Sequence, residues 1–107
     1  MSLDISLHEV SRHCVYETNI THNLAKMAEE LRVYDALWHP KENGIQYAKD
    51  LIPLLEQKTM ELFFKARKYK AYNASNGWGT YENFWHFLND LLQQCKAHPD
   101  AEIESDI

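Results

Sequence analysis

The sequence predicts an α+β domain: a short antiparallel sheet, made of an N-terminal hairpin and a C-terminal strand, with three helices packed on it. Three observations carry this. Leu3, Ile5 and Leu7 alternate with Asp4, Ser6 and His8, the period of a half-buried strand. Three later stretches repeat apolar residues at three- and four-residue steps, the period of a helix. The last residues alternate Ala101, Ile103 and Ser105 with acids. A mostly α-helical bundle with ragged termini is the alternative. The 107 residues fit one domain spanning 1–107.

Taken in order, Val15 to Ile20 form a second extended run rich in strand formers, and Glu9 to His13 form the turn. Residues 21–38 read as a helix with Leu24, Met27, Ala28, Leu31, Tyr34, Leu37 and Trp38 on its apolar side. Thr21 is its N-cap, and His39-Pro40 stops it. Lys41 to Gly44 is a turn. A second helix runs from Ile45 to about Tyr69, with a kink or break expected at Pro53. Tyr72 to Gly79 is a loop, the densest cluster of turn formers in the chain. A third helix runs from Thr80 to about Ala97, with Thr80 as N-cap and Phe84, Phe87, Leu88, Leu91, Leu92 and Cys95 as its apolar face. The tail from Ala101 to Ile107 is a third strand or a frayed acidic end.

Composition excludes several classes. Sixteen acids against 11 bases argue against a general nucleic-acid coat. No apolar run approaches the roughly 20 residues of a membrane span. Met1-Ser2-Leu3-Asp4 has neither a basic nor an apolar leader character, so a cytoplasmic protein with free thiols at Cys14 and Cys95 is expected. Metal ligation is weakly indicated: Cys95 and His98, with His13 and Cys14, match no zinc module, and no metal or cofactor is expected. No nucleophile elbow, P-loop, metalloprotease helix or kinase signature is present, so catalysis has little support.

Three segments are candidates for binding. Thr21-His22-Asn23 opens the first helix, where unpaired backbone N–H groups suit an anion and His22 titrates near neutral pH. Its other reading is a simple cap with a solvated histidine. Asn73 to Tyr81 places Gly77 and Gly79 around Trp78. The glycines permit positive φ or close approach, Trp78 and Tyr81 offer rings, and Asn73 and Asn76 offer amides. Here the other reading is a tight connection whose Trp78 plugs the core. The third is the stretch 58–70, net +4 on a chain whose remainder is net −9. Arg67 or Lys70 can supply charge to an anion, or the run is a solvated helix end.

The pattern Ile20-Thr21-His22-Asn23-Leu24, Met27-Ala28, Tyr34-Asp35-Ala36-Leu37-Trp38-His39-Pro40, Asn73 to Tyr81, and Cys95 with Pro99-Asp100-Ala101-Glu102-Ile103 resembles a family of small uncharacterised proteins of bacteriophages, prophages and bacteria. The resemblance covers residues 15 to 104 and carries no catalytic residue. This chain departs from it around Lys58 to Lys68, where Phe63-Phe64 replaces a more polar stretch. It implies a phage setting, in which small proteins of other families sequester signalling nucleotides, an analogy at the level of strategy.

The expectation is therefore a non-catalytic binder of a small phosphate-bearing, nucleotide-like ligand, acting as an anti-defence sponge. The site joins Thr21, His22 and Asn23 to Asn73, Asn76, Gly77, Trp78, Gly79 and Tyr81, with Arg67 or Lys70 nearby. The alternatives are a protein inhibitor or adaptor that covers a host defence protein with its acidic surface and tail, Asp100 to Asp106, and a small His22-dependent hydrolase. Trp38, Phe63, Phe64 and Trp85 exceed what one core of this size readily holds. Any that are exposed together mark an interface, and a homodimer or higher oligomer is expected.

Overall fold

A computed structural model describes residues 2–9, 13–72 and 79–107 of the chain, and the side chain of His13 is not described. Strand β1 (Ser2–Glu9) pairs antiparallel with β2 (His13–Thr21), in register from Ser2↔Thr21 to Glu9↔His13. The register shifts between Leu7 and His8, a bulge on the β2 side. Strand β3 (Glu102–Asp106) pairs antiparallel with the other edge of β1, giving the order β2-β1-β3. The tail is thus a strand and not a frayed end, and the sheet excludes the all-helical bundle.

Period-2 alternation sorts the sheet into two faces. Leu3, Ile5 and Leu7 are fully buried, as are Ala101 and Ile103 to within 1%. Ser105 also faces inward, where its hydroxyl donates to the Leu37 carbonyl at 2.7 Å. Asp4, Ser6 and His8 point the other way. Among the described residues the helices pack on the inner face, and Asp4 on the outer one is exposed.

The helical stretches form where expected but are cut differently. Residues 21–38 do not make one helix. A 3-10 turn (His22–Leu24) leads into α1 (Ala25–Leu31), which ends at Arg32 with φ 66 and ψ 38. That left-handed cap, costly for a residue with a Cβ, re-aims the chain into α2 (Tyr34–Trp38). Through the break Leu31, Val33, Leu37 and Trp38 all remain in the core.

Helix α3 (Ala48–Phe64) starts later than Ile45 and runs through Pro53 without a break. Pro53 is exposed and near the helix start, so the single lost backbone bond faces water. Asp50 accepts from the Tyr47 and Gln46 amides at 3.0 and 3.1 Å, which fixes the first turn. These bonds hold its carboxyl below the ordinary carboxylate pKa. The break falls instead at Lys65, before α4 (Ala66–Lys70).

Helix α5 (Tyr81–Ala97) follows its expected course. Thr80 caps it by accepting from the Asn83 amide at 3.2 Å, and all six residues of its apolar face are buried. It packs against α3, with Glu56 and Lys96 bridged at 3.5 Å. The buried residues of sheet and helices form one cluster. No helix among the described residues is long and apolar enough to cross a membrane.

Candidate functional site

The first two binding segments predicted from the sequence come together at one point. A Cβ placed on Gly79 would stand 3.1 Å from Asn23 Cβ and 3.2 Å from Leu24 Cγ. Gly79 is therefore glycine because the chain passes flush against the turn after β2, not because of a positive φ. Asn73, Asn76, Gly77 and Trp78 lie outside the described residues.

Around this junction several expected donors are already engaged. Thr21 Oγ1 accepts from the Asn23 amide at 3.2 Å, so the cap takes one of the N–H groups expected for an anion. His22 Nδ1 accepts from the buried Trp38 indole N–H at 3.1 Å. Trp38 is itself stacked on Tyr34 at 4.8 Å. The neutral imidazole then carries its proton on Nε2. That nitrogen is buried and has no partner among the described residues. Tyr81 is buried, and its hydroxyl donates to the Leu62 carbonyl at 2.9 Å, locking α5 to the end of α3. Lys70 lies 3.7 Å from Glu82 and over the Tyr81 ring. Arg67 is exposed.

Sequence reasoning missed one concave surface. A groove of about 880 Å³ opens beside the outer face of the sheet and runs under the turn that follows α2. Asp4, Glu17, Glu42, Glu104 and Asp106 line it, against one lysine, Lys41. The strand register explains the convergence: Asp4 stands opposite Asp106, and Ser6 is flanked by Glu17 and Glu104. Directly opposed residues of an antiparallel pair share a face. The acids are separated by up to a hundred residues in sequence, and only the tail was conspicuous there. The signal was present in the alternation of β1 with that of β3, once the two are paired. Asp100, expected to join this surface, instead reaches Lys49 at 3.3 Å.

The groove also holds His8, whose Nε2 lies 2.8 Å from Ser6 Oγ and 3.6 Å from Glu104. Serine and carboxylate meet the same ring nitrogen. A nucleophile triad needs the acid on the opposite one, where it fixes the tautomer. His8 Nδ1 is buried without a partner among the described residues. The trio is a hydrogen-bonded surface cluster, not an activated nucleophile.

Of the candidate zinc ligands, Cys14 is exposed. Cys95 is buried in the core, and burial pushes its thiol up to about 12. His98 Nδ1 lies 3.4 Å from Glu9. Among the described residues no group of three or more His, Cys, Asp or Glu is placed to hold a metal ion.

Comparison of the chain with protein-family models, with curated proteins and with solved structures found no match to any of them.

Proposed function

We propose that this chain is a binding protein whose acidic sheet face takes a cationic segment of a protein partner. The observation that carries this reading is the groove: five carboxylates against one lysine around about 880 Å³. Asp4 directly opposite Asp106 is a like-charge pair, and such pairs cost stability when no cation lies between them. A lysine or arginine side chain laid across the strands relieves that repulsion. Binding of this kind is steered by charge and weakens with salt.

The test is calorimetric titration with a lysine- and arginine-rich peptide at low and high salt. Binding is expected at low salt and is expected to weaken at least tenfold in Asp4→Asn/Glu17→Gln/Asp106→Asn. Equal affinity of that variant, or of an acidic control peptide, would exclude the groove.

A second reading is favoured by the contact of Gly79 with Asn23 and by the buried His22 Nε2, which has no partner among the described residues. It is sequestration of a small phosphate-bearing, nucleotide-like ligand at Thr21, His22, Asn23 and the 73–81 segment, with Arg67 as an exposed cation. Native mass spectrometry of protein purified from cells is the measurement. A retained nucleotide mass that disappears in His22→Ala supports sequestration, and a ligand-free spectrum together with no binding of added nucleotides rejects it.

A further inference from the structure

At the far end of α3 from the sheet edge, Met60, Phe63 and Phe64 are 62%, 60% and 76% exposed. Phe63 lies 5.5 Å from Phe64 and 6.4 Å from the half-buried Trp85 of α5. An aromatic cluster this open marks an interaction surface rather than scattered exposure. Basic residues follow it directly in sequence, Lys65 to Lys70. The ion pairs of this region hold Lys58 and Lys70 and leave Lys65, Arg67 and Lys68, all exposed, outside them among the described residues. The result is a basic, aromatic tip on a net-acidic molecule.

The chain carries the complement of this tip in its own groove. The carboxylates of the sheet face match the three cations. Ile107, 56% exposed, gives that groove an apolar edge for the phenyl rings. One molecule cannot make this contact with itself. Ala48, at the start of α3, bonds the Ala101 carbonyl at the foot of β3, and Phe64 lies about 25 Å further along the helix. The helices also cover the inner face of the sheet, whereas the groove opens on the outer one.

We infer that the Phe63–Phe64 tip of one copy seats in the acidic groove of a second copy. Two such contacts about a two-fold axis close the pair as a dimer. This inference rests on the proposed cation-binding groove and names its occupant.

Sedimentation velocity at low and high salt tests it, with circular dichroism as the check on folding. The wild type is expected to self-associate and to dissociate as salt rises. Phe63→Ser/Phe64→Ser alters only exposed side chains and is expected to be a folded monomer, as is Asp4→Asn/Glu17→Gln/Asp106→Asn. The two variants mixed in equal amounts are expected to recover a heterodimer, because the tip variant keeps an intact groove and the groove variant keeps an intact tip. A monomeric wild type overturns the inference. So does a groove variant that associates as well as the wild type, since the tips would then pair with each other. Wild-type binding to phosphatidylserine vesicles that is lost in the tip variant, with no self-association, also overturns it and assigns the tip to a lipid surface. The basic peptide separates the two levels: if it binds the groove of a monomeric wild type, the cation-binding reading stands and only self-association fails. If neither peptide nor second copy binds, both fail.

Discussion

Gly79 shows how one residue joins two distant segments. Its missing side chain lets the start of the α5 segment lie against Asn23 and Leu24, and a methyl group there needs space that Leu24, fully buried, does not have. Gly79→Ala is expected to destabilise the fold by about 1–3 kcal/mol, the usual cost of overpacking, read by urea denaturation. An unchanged midpoint would mean that the turn after β2 shifts freely. His22 is the second informative residue. Its position at the opening of a helical segment suggested a solvated or anion-binding side chain. The fold instead gives its Nδ1 to Trp38, a partner 16 residues away that no local pattern reveals.

Among the elements, β3 changes the meaning of the C-terminal acids. A frayed acidic end at Asp100 to Asp106 would be removable without loss of fold. As an edge strand it supplies Ile103 to the core and Ser105 to the Leu37 carbonyl. Deleting residues 102–107 is expected to cost more than about 3 kcal/mol and to abolish the near-ultraviolet dichroism of the folded state. Retention of that signal would show that the sheet survives as a hairpin. The helical elements teach the same lesson from the other side. Periodicity located all three stretches, and the caps at Thr21 and Thr80 are as read. Arg32 and Lys65 break two of them at positions that carry no glycine or proline, because packing, not propensity, sets those breaks.

For the molecule as a whole, one part of the pH dependence follows from a part-buried bond between α4 and α3. Tyr69, fully buried, donates to Glu61 at 3.0 Å. Burial first, then the hydrogen bond to Glu61 and its charge, push the phenol up from 10.0 to about 12. The stability this neutral phenol contributes is present below pH 10 and is lost as pH rises toward 12. Burial opposes ionisation of Glu61. The Tyr69 hydrogen bond and the Lys58 and Lys65 charges outweigh it and bring its pKa below 4.5. Its contribution is present above that value and fades as pH falls through the lowered pKa. Stability is therefore expected to hold between these limits and to fall on both sides. Thermal melts across pH check this, and Tyr69→Phe should flatten the alkaline limb. A limb unchanged by Tyr69→Phe would assign it to other groups.

The sequence by itself determined the α+β class, the β1 alternation and the α5 face. Each of these depends on the period of burial along a single stretch, which a sequence displays directly. Only the tertiary structure decided that Asp4, Glu17, Glu104 and Asp106 share one face, that Trp38 engages His22, and that Phe63 and Phe64 stand open while Trp38 is buried. These depend on which strand lies beside which and where the helices turn, and antiparallel pairing brings into contact residues that no local period relates.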